Sequence, residues 1–346
     1  MSAKSFDVVI VGGGIIGAAC ADECARAGIS VAVIEREVVG GGATAAGMGH
    51  IVVMDDSEAQ FRLTRYSQLL WQRLQPELPP DAEFEQRGTI WVAADAEEME
   101  EVHRKAVFYG GCGVPVEVMD PARLAVAEPN LRHGLAGGLL VPEDAVIYPP
   151  CAARFLLERA QAMGTRVCLG RTVIEAGNGI VRLDDGSQLT ASRIVNAGGT
   201  WSPTLTPGID VRKRKGHLVI TDRYPGFVHH QLVELGYLKS AHSTTTDSVA
   251  FNVQPRKTGQ VLVGSSRQFD VDGKEADAPL LARMVQRAQE YMPGLRGLSA
   301  IRVWTGFRAA TPDKLPLIGP SANDPTLYLA TGHEGLGITV SLGTAR

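Results

Sequence analysis

"DVVIVGGGIIGAACADECARAGISVAVIERE", residues 7–37, decides the fold. Val8 to Val11 are consecutive β-branched apolar residues, the pattern of a strand buried on both faces of a parallel sheet. Gly12, Gly14 and Gly17 then spell G-x-G-x-x-G. Helix-compatible residues run on through Ile15, Ile16 and Arg26 to a stop at Gly28, and a second strand, 29–34, ends on Glu35. Gly12 suits a tight turn, Gly14 lets a pyrophosphate approach the backbone, and Gly17 lets helix and strand pack closely. The helix N-terminus offers N–H donors and partial positive charge to phosphates, and Glu35 sits where a carboxylate accepts hydrogen bonds from a ribose. Strand, glycine turn, helix, strand and terminal acid in this order predict an ADP-containing dinucleotide, either NAD or FAD.

Working outward, 346 residues and 36.9 kDa predict two domains with ample core. An apolar content of 45%, mean hydropathy of +0.01 and net charge of −4 describe a soluble globular protein for which nucleic acid is not an expected partner. No apolar run reaches the roughly 18 residues of a membrane span, and residues 1–6 are too short and polar for a signal peptide. The expected location is cytoplasmic, membrane-peripheral only through a partner. The five cysteines, Cys20, Cys24, Cys112, Cys151 and Cys168, have no metal-ligand spacing, so no metal is expected. Cys20 and Cys24, one helical turn apart, read as small residues packing helix to sheet, and the absence of C-x-x-C argues against a disulfide reductase.

No repeat or low-complexity linker interrupts the chain. Residues 57–75 have helical apolar spacing, with Phe61, Tyr66 and Trp71 expected in the core. A strand is expected near 88–92, an acidic helix over 95–108 with a solvated face, a helix over 151–163, and strands near 165–169, 179–183 and 193–196. Strand-rich sequence over 216–269, a helix at 279–291 and a strand at 300–307 follow. Helical and β-meander segments thus break the α/β pattern twice, which predicts interleaved domains. The run "VRKRKGHLV", residues 211–219, reads as an exposed basic cluster at a domain crossing; the other reading is that Lys215 raises the positive potential near a flavin.

Three later segments bear on NAD against FAD. "GGGATAAGMGHI", residues 40–51, is small enough to run a backbone past flavin phosphates and ring. "IVNAGGTWS", residues 194–202, is a buried strand ending in glycines. "YLATGHEGLGITVS", residues 328–341, is a strand, a glycine-rich turn and a fresh helix start, able to present N–H donors to the N1/O2 edge of a reduced flavin. With "VVIVGGGIIG", "AAGMGH", "NAGGTWS", "GFRAATPDKLPLIG" and "ATGHEGLGI", nearly the whole chain resembles the D-amino acid oxidase superfamily of FAD-dependent oxidoreductases. The likeness is to its glycine oxidase, D-amino acid dehydrogenase and D-hydroxyproline dehydrogenase flavin-subunit branch.

The resemblance implies an α/β fold in which a Rossmann-like FAD-binding domain, residues 1–83, 143–213 and 308–346, is interleaved with an α+β substrate domain on an antiparallel sheet, residues 84–142 and 214–307. It implies that Gly12, Gly14, Ile15, Ile16, Gly17, Glu35, Arg36, Ala43, Thr44, Ala45, Gly47, Val173, Ala197, Gly198 and Trp201 hold the cofactor. Gly332, His333, Glu334, Gly335, Leu336, Gly337 and Ile338 form the turn that meets the isoalloxazine. Met48 and His50 fall near the flavin ring and the substrate cavity. Arg308, in "TGFRAATPD", matches the arginine that clamps the substrate carboxylate, a task suited to a planar, permanently charged guanidinium. Asn252 and Arg267 take positions that glycine oxidase fills with an aromatic and a thioether residue, which implies a more polar or acid-bearing substrate or an altered pocket. Tyr237 and His242 are further cavity candidates. The family's last helix continues beyond a position like Arg346.

The implied reaction is oxidation of an amino acid or secondary amine (a D-amino acid, D-proline, D-hydroxyproline, glycine or sarcosine type) by hydride transfer to flavin N5, giving an imine. Such chemistry needs positioning and electrostatics more than a protein base, which accounts for the lack of a Ser-His-Asp or paired-carboxylate set. No cysteine lies between Thr305 and Gly319, where the sarcosine oxidase branch attaches its flavin, so FAD is expected to be non-covalent. The electron acceptor is oxygen, a quinone or a partner subunit of a hetero-oligomeric dehydrogenase. The rival class is an FAD-binding assembly component without turnover, which has no need for a carboxylate clamp.

Overall fold

The computed structural model describes residues 4–236, 247–269 and 271–346. In chain order the strands are β1 (Lys4–Val11), β2 (Val31–Glu35), β3 (His50–Ile51), β4 (Thr89–Ala93), β5 (Glu117–Met119), β6 (Gly137–Val141), β7 (Ala145–Val146), β8 (Arg166–Leu169), β9 (Val173–Gly177), β10 (Ile180–Leu183), β11 (Gln188–Asn196), β12 (Arg212–Arg223), β13 (Gln231–Glu234), β14 (Ser248–Pro255), β15 (Gln260–Arg267), β16 (Ala300–Ala310), β17 (Leu317–Pro320) and β18 (Leu327–Thr331). The α-helices are α1 (Ile15–Arg26), α2 (Glu58–Leu74), α3 (Ala96–Gly111), α4 (Pro121–Ala127), α5 (Pro149–Ala162), α6 (Ser202–Leu205), α7 (Ala278–Tyr291) and α8 (Gly337–Ala345). The chain divides into two compact units: unit 1 comprises Met1–Ala82, Ile147–Arg214 and Phe307–Arg346, and unit 2 comprises Glu83–Val146 and Lys215–Gly306. Among the described residues no helix is long and apolar enough to cross a membrane.

Unit 1 is built on a sheet ordered β17-β18-β11-β1-β2-β8, with β10 added to β11 and β9 to β10. β1 runs parallel to β2 and β11, β2 to β8, and β11 to β18. Read as β8-β2-β1-β11-β18, this is the 3-2-1-4-5 order of a doubly wound dinucleotide-binding sheet, whose strand order reverses at β1. The buried run of β1 pairs Val8 with Val31 and Val11 with Ile34, and one sheet face packs Val9, Val11, Ile34, Ile194 and Leu327 together. The second strand starts at Val31 because Ser30 is tied back: its N–H and Oγ both donate to Asp7 Oδ2, at 2.9 and 2.6 Å.

Helix α2 starts where Ser57 Oγ accepts from the Gln60 N–H at 3.2 Å. It buries Phe61 and Trp71 as expected, but Tyr66 is 45% exposed. Tyr66 follows Arg65 on the wet side of the helix, so its aromatic character does not mark core. Cys20 and Cys24 pack as small residues in α1, and burial raises both thiols, Cys20 to about 12.

The sheet of unit 2 runs β16-β12-β15-β14-β13-β4-β6-β5. β12 with β15, β15 with β14, β14 with β13, β4 with β6 and β6 with β5 pair antiparallel, and β13 with β4 parallel. One face packs Ile90, Leu232, Phe251 and Val263 against Met284, Ala288 and Tyr291 of α7, with the Phe251 and Tyr291 rings stacked at 4.5 Å. By the two-residue period of strands, Trp91, Val233 and Asn252 lie in register on the opposite face. The acidic helix begins on Asp95, whose Oδ1 accepts from the Glu98 N–H at 2.9 Å, and it keeps Glu97 and Glu100 in water. The short strands β5, β6, β9 and β17 and the one-face helix α4 go unread in the sequence. Pairing with neighbouring strands defines these strands.

Candidate functional site

The carboxyl ends of β1 and β11, at the strand-order reversal, carry the two glycine turns. Gly12 has φ +107°, and a Cβ on it would lie 2.6 Å from the Ala197 carbonyl oxygen; one on Gly17 would lie 1.9 Å from the Gly12 oxygen. Only glycine therefore lets α1 start against β1 here. α1 has Gly14 as N-cap with no side-chain cap. Its Ile15 N–H donates to Thr44 Oγ1 at 3.0 Å, which brings the 40–51 segment to the helix start. Glu35 closes the same turn: its Oε2 accepts from the Gly13 N–H at 2.7 Å and its Oε1 from the Glu37 N–H at 2.8 Å. Each carboxylate oxygen keeps a further lone pair toward a hydroxyl donor.

Arg36 lays its guanidinium over the Trp201 ring at 3.6 Å, a flat cationic plate beside this turn's acid. Ile15 and Thr44 are buried, Ile16 and Gly47 half-buried, Ala43 and Ala45 exposed. The half-buried Ala197 and Gly198 follow β11, and the Gly198 N–H donates to Asn196 Oδ1 at 3.1 Å. Val173 turns its side chain into the hydrophobic core, so anything it offers a ligand is backbone.

A third glycine turn lies before α8. Gly332 has φ +78°, and a Cβ on it would lie 2.6 Å from Thr311 Cγ2. A single 3₁₀ turn, Glu334–Leu336, leads into Gly337, and the N-cap residues His333 and Leu336 make no side-chain cap bond. His333 is fully buried; its Nε2 lies 3.0 Å from Thr344 Oγ1, and burial pushes its imidazole down to about 3, so it is neutral. Glu334 holds a left-handed backbone at φ +46° and is ion-paired with Arg214.

Trp71 fixes the helix start from the other side, its Nε1 donating to the Ile338 and Thr339 carbonyls at 3.2 and 3.1 Å. Thr339 Oγ1 donates to the His50 carbonyl at 2.9 Å and accepts from the Val52 N–H at 3.3 Å. A Cβ on Gly47 would meet Ile338 Cδ1 at 2.6 Å. The structure thus brings Gly47, the buried Met48 and His50 to the start of α8. Trp71 lies outside every motif, and Thr311 and Thr339 lie inside motifs that do not single them out; Thr339 is legible as a polar residue inside an apolar helix.

Arg308 lies half-buried in β16 three residues before Thr311, about 10 Å along the strand at ~3.3 Å per residue from the contact with Gly332. Its neighbour Phe307 has Lys213 Nζ 5.9 Å over its ring. In unit 2, Asn252 of β14 pairs with Gly264 and Arg267 of β15 with Ser248, so the two are about 10 Å apart along the sheet. Asn252 is 8% exposed, and its Oδ1 accepts no hydrogen bond among the described residues. The run 211–219 is not an exposed cluster: Arg212 is in water, but Arg214 and Lys215 are buried, Lys215 donating from Nζ to the Glu275 carbonyl. β12 is buried continuously from Arg214 to Val219, whatever the charge of the run. Tyr237 and His242 lie outside the described residues. Among the described residues no group of His, Cys, Asp and Glu is arranged to hold a metal ion.

The model of the FAD dependent oxidoreductase (DAO) family matches residues 7–346. The chain belongs to the FAD dependent oxidoreductase family. This flavoenzyme is similar to the hydrogen cyanide synthase subunit HcnC of Pseudomonas aeruginosa, 28% identical over 98% of this chain and 90% of the relative. It is also similar to the glycine oxidase of Geobacillus kaustophilus, 26% identical over 97% of this chain and 90% of the relative. The crystal structure of glycine oxidase from Geobacillus kaustophilus superposes with a TM-score of 0.86 at 25% identity, covering 99% of this chain and 93% of that one. The L-proline dehydrogenase of P. horikoshii shares the fold, with a TM-score of 0.87 at 23% identity over 99% and 92% of the two chains. The FAD that the family uses fits unit 1 of this flavoenzyme on three counts: an α1 start with a glycine N-cap at the strand-order reversal, a carboxylate at the end of β2, and a glycine-rich turn before α8.

Proposed function

We propose that this flavoenzyme oxidises an amino acid or a secondary amine bearing a carboxylate, with Arg308 as the clamp on that carboxylate. The observation that carries the reading is the convergence on Gly332: the strand holding Arg308 ends on Ala310, and the next residue, Thr311, packs against the turn before α8. A bidentate guanidinium fixes both carboxylate oxygens in one plane, which orients a single Cα–H bond. FAD, held without a covalent link, would supply a two-electron acceptor for the hydride of that bond; the imine product would then hydrolyse to an oxo acid and an amine. The residues of the chain do the rest. The amides of the Gly12–Gly17 turn and Thr44 bind pyrophosphate, Glu35 binds ribose, and the turn 332–338 faces the flavin ring with His333 held neutral. Met48 and His50 line the reacting side, and Asn252 and Arg267 select among substrates.

An anaerobic screen of amino acids, both enantiomers and N-substituted forms, tests the reading by bleaching of the flavin absorbance. Reduction by D-proline or D-hydroxyproline assigns one substrate class and reduction by glycine or sarcosine another. A flavin that dithionite bleaches but no amine does would refute the proposal. The similarity to a synthase subunit supports a second reading, in which electrons leave to a partner protein; slow reoxidation of the reduced enzyme in air, quickened by a quinone-type dye, is its expected signature. Acid precipitation should release intact FAD into the supernatant, and flavin retained in the pellet would overturn non-covalent binding.

A further inference from the structure

We propose that Arg214 is a positioning residue that sets the reduction potential of the bound flavin by holding and neutralising Glu334 in the turn before α8. The inference rests on the reading that this turn meets the flavin ring. Glu334 combines three features. Its backbone is left-handed, at φ +46°, in a region L side chains seldom adopt. Its side chain is only 12% exposed, where a carboxylate is poorly hydrated. It also puts negative charge among amides whose helix-end potential is positive.

Arg214, whose side chain is 7% exposed, donates from Nη1 to Glu334 Oε1 across 120 residues of sequence, which holds the side chain and compensates its buried charge. The neighbouring groups do not substitute for it. Burial keeps the imidazole of His333 neutral, Arg212 is engaged with Asp210 at the surface, and Lys213 stands over Phe307.

The consequence is electrostatic. Two-electron reduction leaves added negative charge on the flavin, which the amides of the turn favour and a bare Glu334 carboxylate would oppose, with little water to damp the field. Arg214 cancels that opposition, so the turn keeps its net positive character. Removing Arg214 while Glu334 remains makes reduction harder; removing both charges returns the turn to near balance. A pair that is only structural would instead lower stability and leave the potential in place.

The test is an anaerobic dithionite titration of purified holoenzyme against a redox dye, for the parent, Arg214→Gln, Glu334→Gln and the double variant. Arg214→Gln is expected to shift the oxidised-to-reduced equilibrium at least tenfold toward oxidised flavin, about 30 mV for a two-electron couple. Glu334→Gln should shift it the other way, and the double variant should fall within about threefold of the parent. Should Arg214→Gln lose its flavin, Arg214→Lys, which keeps the charge without the fork, must hold the parent potential and Glu334→Gln must still raise it. Parent-like potentials in Arg214→Gln, or in Glu334→Gln where only it retains flavin, would overturn this inference while leaving the FAD reading intact. A parent purified without flavin would instead overturn the reading on which it stands.

Discussion

Thr339→Val tests how the site is tied to the fold. Thr339 is 1% exposed, and its Oγ1 both donates to the His50 carbonyl at 2.9 Å and accepts from the Val52 N–H at 3.3 Å. Valine keeps the shape and the β-branch, so packing of α8 against α2 is retained and only the two hydrogen bonds are lost. At about 1 kcal/mol net for each, the change costs about 2 kcal/mol. With an unfolding entropy of ~2.1 cal/mol/K per residue, that lowers Tm by about 3 °C if the whole chain melts as one, and by about 5 °C if unit 1 melts alone. The strand segment carrying His50 would also come loose from the start of α8, so FAD retention should fall with stability, while Thr339→Ser, which restores the hydroxyl, recovers both. Calorimetry with a flavin-release assay on the same preparations reads the outcome. A Thr339→Val protein melting and holding FAD like the parent would refute the claim that this hydroxyl positions the site.

Arg308→Lys should raise the substrate concentration for half-maximal flavin reduction and slow reduction at saturation, and Arg308→Met more so, by about 1.5–3 kcal/mol in kcat/KM, with FAD still bound; parent-like reduction in Arg308→Met would move the clamp elsewhere, Arg267 being next to test. Asn252→Leu removes a buried amide whose Oδ1 has no donor among the described residues, so Tm should hold or rise while kcat/KM for substrates with polar side chains falls about tenfold against apolar ones; equal losses for both would deny Asn252 a part in selection. His333 stays neutral in the fold because burial pushes its imidazole from 6.5 down to about 3. The unfolded chain alone takes up that proton, so stability is full above about pH 6.5 and lost as pH falls toward 3, at up to about 1.4 kcal/mol per pH unit. Urea unfolding from pH 4 to 7 should show a flatter slope in His333→Asn, and identical slopes would show that the imidazole is solvated.

What the sequence determined by itself is local and covalently close. The run Val8–Val11 with Gly12, Gly14 and Gly17 reads as a buried parallel strand feeding a helix through a glycine turn, and a Cβ at Gly12 or Gly17 would collide with backbone. The terminal acid of β2 was equally legible, as was the glycine-rich start of α8. Only the tertiary structure decided which distant groups meet them. Tyr66 and Trp71 share one helical pattern, yet one lies in water and the other holds the start of α8 by its indole N–H, since the exposed face depends on what packs opposite. Within five residues of one basic run, Arg212 is solvated and Arg214 is buried on Glu334. Charge is a property of the residue, whereas burial and partnership belong to the strand's register and to a turn 120 residues away.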